Sequence, residues 1–226
     1  ANLFVIWCLA LSRITSPNMV FTRHVEGGSV KQQNIECARA VLNLCEKLGA
    51  LKFGEFELTS GKTSDYYFDG RLVTLDPQGA SAVAEAFMPL IVDSRAEVVA
   101  GPALAAIPII TAIGMRSLME GNPVPGLIVR SESKTHGAKK MIEGTVRPGS
   151  KVAVVDDTCS TGGSLIHAID AIERVGSDVV KVICILDRNM GGSSEIRKRG
   201  YDFHSLLVAS GEGKKTKIHA SGDTGD

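Results

Sequence analysis

Val152-Ala153-Val154-Val155-Asp156-Asp157-Thr158-Cys159-Ser160-Thr161-Gly162-Gly163-Ser164 sets an apolar run against two adjacent carboxylates and then a turn of small residues. The four apolar residues suit a strand buried on both faces of a parallel sheet, and a ligand in an open α/β sheet binds beyond the carboxyl ends of the strands. Asp156 and Asp157 are therefore expected at the rim. From Thr158 to Ser164 the chain offers hydroxyls, two glycines that admit close backbone approach and the positive end of a following helix, a combination that receives a phosphate. The carboxylates would repel that phosphate. They need a different part of the ligand, and vicinal ribose hydroxyls or a hydrated Mg2+ are natural partners of paired acids. The string as a whole reads as a sugar-phosphate site. Helix capping alone would need one acid rather than this series, and the Gly-x-Gly-x-x-Gly order of a dinucleotide fold is missing.

Around this string, 226 residues with 44% hydrophobic content suffice for one sizeable domain and are short for two. The formal net charge is zero, so no global field points to nucleic acid or to an anionic membrane, and any basic site must be local. Five cysteines, Cys8, Cys37, Cys45, Cys159 and Cys184, form no Cys-x-x-Cys pair or zinc spacing. They read as reduced thiols of a cytoplasmic protein. Residues 3–11 are apolar, but no Lys or Arg precedes them and the run is too short to span a bilayer. Residues 1–30 are accordingly expected to be a poorly ordered leader, residues 31–210 the folded domain, and residues 211–226 a polar, mobile tail.

Ile35, Ala38, Leu42, Cys45 and Leu48 recur at steps of three and four, which predicts a helix over 33–48 that stops at Gly49. Residues 52–68 alternate around Ser60-Gly61-Lys62 and predict a hairpin. Helices are expected over 78–93, 106–119, the stretch after Ser164 and 193–199. Strands are expected over 97–100, 127–130, 151–155, 179–186 and 203–208. Strands alternating with helices argue for a parallel sheet covered on both faces. Gly61-Lys62-Thr63 echoes the end of a nucleotide-binding phosphate loop, but Phe56 stands where that loop needs its first glycine.

The polar stretch after the 127–130 strand carries the second clue. Arg130, Lys134, His136, Lys139 and Lys140 place five cationic groups within eleven residues, followed by Ile142-Glu143-Gly144. Cations on a departing pyrophosphate would stabilise the charge it gathers as a ribose turns oxocarbenium-like, and a mobile loop would shut out water.

The acid-pair string resembles the PRPP-binding signature of the type I phosphoribosyltransferases, PRPP being 5-phosphoribosyl 1-diphosphate. Arg-x-x-x-Lys-x-His-Gly with Ile-Glu-Gly resembles the catalytic loop of the orotate phosphoribosyltransferases. Further landmarks agree in order: Phe53-Gly54-Glu55-Phe56, Ser60-Gly61, Ser64-x-Tyr66-Tyr67-x-Asp69, Gly101-Pro102-Ala103, Ile107-Pro108 and Asp187-Arg188. The likeness spans roughly residues 33–210. It implies a type I phosphoribosyltransferase fold, a mainly parallel twisted α/β sheet flanked by helices, with a small hood from the N- and C-terminal segments. It also implies an enzyme that joins orotate to PRPP with Mg2+, giving orotidine 5′-monophosphate and pyrophosphate in pyrimidine biosynthesis.

The roles that the resemblance implies are these. Asp156 and Asp157 hold the ribose hydroxyls, directly or through waters of the metal, and Thr158, Cys159, Ser160, Thr161, Gly162, Gly163 and Ser164 seat the 5′-phosphate. Arg130, Ser131, Lys134 and His136, with Ala103, Leu104 and Ala105, take the pyrophosphate. Lys134 and His136 reach the site of a partner subunit, which implies a homodimer. Arg188 pairs with orotate beside Thr161, Tyr67 and Phe68, as a planar guanidinium fork suits a carboxylate or imide edge. Leu104-Ala105 stand where relatives often have Tyr-Lys, Thr59 where some have Lys, and Ser131 where another Lys is common. The Ala103–Leu104 peptide falls where the fold tends to be cis. His24, His167, His204 and His219 have no partners at meaningful spacing and receive no role. Alternatives are a phosphoribosyltransferase for another nucleobase and a PRPP-binding regulatory relative, though the latter would need a DNA-binding segment or basic face that the neutral chain lacks.

Overall fold

Alternate side chains of residues 152–155 pack into two different apolar clusters, as a strand buried on both faces requires. The computed structural model describes residues 30–57, 63–131, 141–211 and 215–223. Within these, strand β6 (Lys151–Cys159) lies at the centre of a seven-stranded sheet. Its neighbours are β3 (Val98–Pro102) on one side and β7 (Asp178–Asp187) on the other, both parallel to it. Beyond β3 come β4 (Gly126–Val129), parallel, and the edge strand β5 (Ile142–Glu143), antiparallel. Beyond β7 come β8 (Phe203–Ser210), parallel, and the edge strand β9 (Lys217–Ala220), antiparallel.

Helices cover both faces. Helices α1 (Val30–Lys47), α3 (Pro77–Asp93) and α4 (Ala106–Met119) share one cluster with Ala153 and Val155. Helix α5 (Gly163–Arg174) packs Leu165, Ile169 and Ile172 into the other, with Val152 and Val154. Asp76 starts α3 by accepting the amides of Gln78 and Gly79 at 2.9 Å, with Pro77 at the first helical position. Two short helices complete the set, α2 (Arg71–Thr74) and α6 (Gly192–Lys198). Antiparallel strands β1 (Leu51–Glu57) and β2 (Thr63–Phe68) form a separate two-stranded sheet, whereas the C-terminal segment expected in a hood with them joins the main sheet as β9. Among the described residues no helix is long and apolar enough to cross a membrane.

The chain adds β4 on one side of β3 and later returns to place β6 on the other, so the strand order reverses between β3 and β6. A crevice opens at such a switch point beyond the carboxyl ends of the strands. The helices and parallel strands expected from periodicity are present within a few residues of their expected bounds. Three differences matter. Strand β6 continues to Cys159 instead of ending at Val155, because Thr158 and Cys159 keep pairing with Leu186 and Asp187 of the ten-residue β7. Residues 142–143, expected in a loop, form β5. Residues 217–220, expected in a mobile tail, form β9, and Asp223 beyond it pairs with Arg39 at 2.7 Å. Of the leader expected over 1–30, residues 1–29 lie outside the described residues, as does the turn Ser60-Gly61-Lys62, while Val30 begins α1.

Candidate active site

Because β6 runs on, Asp156 is a buried residue, 4% exposed, and not the rim residue expected. One carboxylate oxygen accepts the amide of Asp157 at 2.9 Å and the other accepts the hydroxyl of Ser164 at 2.9 Å. Burial, with the charge of Asp157 beside it, pushes the Asp156 carboxyl up to about 7. Asp157 is also raised, chiefly by burial, and accepts the hydroxyl of Thr158 at 3.2 Å. The pair is a desolvated acid site that gains from a partner with hydroxyl donors or positive charge.

The phosphate loop follows at once. Gly162 has φ +83°, a left-handed conformation that suits glycine, and it opens α5 with no side-chain cap. The first amides of α5 therefore face outward beside Thr161, Gly163 and Ser164, which are exposed. Gly192 supports the loop from behind, donating its amide to the Ser160 carbonyl at 2.9 Å. A Cβ at Gly192 would lie 2.4 Å from the Gly162 nitrogen, so no side chain fits there without moving the loop. Cys159, grouped above with the phosphate residues, turns its side chain into the core, 1% exposed, and burial pushes its thiol up to about 12. It offers the loop only backbone.

Facing the acids is the loop after β3. The Ala103–Leu104 peptide is cis, Ala103 donates its amide to Val129 at 2.8 Å, and the Leu104 side chain is exposed. Leu104, Ala105, Asp157, Thr158 and Tyr67 line a cleft of about 330 Å3 together with Asp69 and Arg71. A second cleft of about 320 Å3, between α1 and the β8–β9 edge near His204, contains none of the expected site residues.

Arg188 joins three elements. Its backbone amide donates to Cys159 at 2.8 Å, its guanidinium donates to the Phe68 carbonyl at 3.3 Å, and it lies 5.4 Å from the Tyr66 ring centroid. Its Nε is buried with no hydrogen-bond partner among the described residues. A buried donor left open in this way is ready for a ligand acceptor. Of the aromatics, Tyr66 and Phe68 are buried in the core and Tyr67 is the exposed one, so Phe68 contributes its carbonyl rather than its ring.

Arg130 sits at the stem of the cationic loop. Its amide donates to the Met141 carbonyl at 2.9 Å, and its guanidinium lies 3.2 Å from Glu143. Its Nε is buried and unpartnered among the described residues. The Arg130 carbonyl meets His167 Nε2 at 2.9 Å. A carbonyl can only accept, so Nε2 carries the proton. Nothing in the sequence pairs His167 with Arg130, although His167 lies one helical turn after Ser164 and so on the same side of α5. Ser131 is exposed; Lys134 and His136 lie outside the described residues. Among the described residues no group of three or more His, Cys, Asp or Glu stands where it could hold a metal by itself.

A phosphoribosyl transferase domain profile matches residues 81–207. The chain is 41% identical over 171 residues to the orotate phosphoribosyltransferase of Nostoc sp., covering 75% of this chain and 82% of that one. It is 39% identical over 155 residues to the orotate phosphoribosyltransferase of Aquifex aeolicus, covering 69% of this chain and 85% of that one. Among solved structures it resembles the Mycobacterium tuberculosis orotate phosphoribosyltransferase in complex with PRPP, with a TM-score of 0.61, 31% identity and coverage of 77% and 95%.

Proposed function

The chain belongs to the orotate phosphoribosyltransferase family, and from that premise we propose how its residues divide the reaction. The enzyme transfers the 5-phosphoribosyl group of PRPP to orotate, releasing pyrophosphate and giving orotidine 5′-monophosphate in pyrimidine biosynthesis. A bond forms between N1 of orotate and the anomeric carbon of the ribose while the bond from that carbon to the pyrophosphate oxygen breaks, and the N1 proton passes to the departing pyrophosphate or to water.

Asp156 and Asp157 take the ribose hydroxyls. The amides and hydroxyls from Ser160 to Ser164 take the 5′-phosphate, with Thr161, Gly163 and Ser164 the exposed ones. Seated in this way, the sugar presents its anomeric carbon toward the cleft between Asp157 and the Ala103-Leu104-Ala105 loop. Pyrophosphate lies along that loop and is met by Arg130, Ser131, Lys134 and His136. As the bond breaks, the leaving group gains negative charge, so cations there lower the barrier more than they strengthen ground-state binding. The free Nε of Arg188 and the Phe68 carbonyl hold the edge of orotate, with Tyr67 and Thr161 beside it. The nearby negative charge of Asp156 and Asp157 favours the positive ribose of the transition state.

Mg2+ fits this donor set: the carboxylates of Asp156 and Asp157 are hard oxygen ligands, and since no three protein ligands converge among the described residues they would hold it through water and through PRPP itself. When bound, it neutralises part of the diphosphate charge. The working unit is a cytoplasmic homodimer in which the loop bearing Lys134 and His136 closes over the site of the partner.

The observation that carries this reading is the acid pair beside the switch point of the sheet, with Asp156 buried and hydrogen-bonded to Ser164 at an uncapped helix start. Orotate absorbance in the presence of PRPP and Mg2+ tests it. A fall that needs all three components is expected, and turnover of a different nucleobase with none of orotate would overturn the assignment.

A further inference from the structure

We propose that Arg71 is a further pyrophosphate-binding residue, a cation on the wall of the cleft that Leu104 and Ala105 leave uncharged. The inference rests on the reading of the cleft as the PRPP site. Among the described residues lining that cleft, Arg71 is the one cation, whereas Asp69 and Asp157 are both acids. An oligoanion entering there meets two negative groups, and Arg71 is the attraction that the wall supplies.

The geometry of Arg71 suits the task. The carboxylate of Asp69, only 16% exposed, accepts the backbone amide of Arg71 at 3.1 Å, Nε at 2.8 Å and Nη2 at 2.9 Å. These bonds fix one edge of the guanidinium, and among the described residues Nη1 has no hydrogen-bond partner. The side chain is itself 55% exposed. The turn that carries it is seated against the acid pair: a Cβ on Gly70 would lie 2.6 Å from the Cβ of Asp157 and 2.8 Å from its carboxylate oxygen. Asp69 is tied to α1's exit by its amide, which donates to Ala50 at 2.9 Å. The Asp69-Gly70-Arg71 turn thus holds a pre-oriented fork at a fixed place beside Asp157, where a second edge can take diphosphate oxygens.

Binding of two ligands to the full chain separates this role from a structural one. Pyrophosphate with Mg2+ reports on the Arg71 wall, and ribose 5-phosphate, which has no diphosphate, reports on Asp156 through Ser164. Arg71→Ala is expected to weaken pyrophosphate about tenfold or more, the size of a charged hydrogen bond, and to leave ribose 5-phosphate within about twofold. Arg71→Lys, which keeps the charge without the fork, should recover part of the loss. Unchanged pyrophosphate affinity in Arg71→Ala, or equal losses for both ligands, would overturn the role of Arg71 while leaving the PRPP site intact. If the unsubstituted protein binds no ribose 5-phosphate, the reading of the site falls and this inference falls with it.

Discussion

His167 Nε2 donates to the carbonyl of Arg130 at 2.9 Å, so the helix that opens on the phosphate loop also holds the stem of the cationic loop. Ser164, one turn earlier on that helix, donates to Asp156. One rigid element therefore sets the relative positions of three parts of the site. His167→Ala should lower kcat/KM for PRPP about five- to tenfold, the worth of one hydrogen bond at a stem already tied by the Arg130–Met141 backbone bond. Ribose 5-phosphate affinity should be unchanged. Steady-state kinetics with a parallel binding titration checks the split, and equal losses in both would assign His167 a purely structural part.

Lys134 is assigned to the leaving group. Lys134→Ala should lower turnover by about 10²–10³ while changing PRPP affinity much less, because the charge it meets appears mainly in the transition state. Single-turnover rates alongside equilibrium PRPP binding provide the comparison.

Burial and the neighbouring Asp157 raise Asp156 from 3.8 in the unfolded chain to about 7 in the folded one. Between these values the folded state holds a proton that the unfolded state has released, so the acid pair makes the ligand-free protein less stable as pH rises through that window. Asp156→Asn removes the titration. Its melting temperature should gain on that of the natural chain by several degrees more near pH 8 than near pH 5, at about 2–4 °C per kcal/mol for a domain of this size. Activity should be lost at both. Thermal melts of the two proteins across the range would show it, and a pH-independent difference would contradict the assignment.

Gly192 has no room for a side chain, since a Cβ would lie 2.4 Å from the Gly162 nitrogen and 2.6 Å from the Ser160 carbonyl oxygen. Gly192→Val should displace the phosphate loop and weaken ribose 5-phosphate at least about tenfold, as phosphate binding depends on several amides aimed at one point. Calorimetric titration measures this. Unaltered affinity would mean that the loop is not braced by α6.

Much of the architecture was legible in residues 33–210 because the parallel strands are mostly apolar, though Lys181 interrupts β7 and His204-Ser205 interrupt β8, and the covering helices keep three-and-four spacing. The features that escaped depend on pairing across the chain. Nothing local in Ile142-Glu143 or in residues 217–220 marks a strand; each is one only because β4 or β8 offers it an open edge. The same cause carried β6 past its two aspartates and buried Asp156, because β7 supplies partners as far as Asp187. In the site, the acid pair and the glycine loop are contiguous and could be read directly. His167 and Arg71 could not, since their partners are a backbone carbonyl 37 positions away and a cleft wall assembled from separate loops.

On the reading proposed, Asp156 and Asp157 hold a ribose while the start of α5 holds its phosphate. A crystal structure with ribose 5-phosphate bound tests this most directly. The account predicts the sugar hydroxyls against Asp156 and Asp157 and the phosphate on the amides between Ser160 and Ser164; density for the ligand in any other place would contradict it.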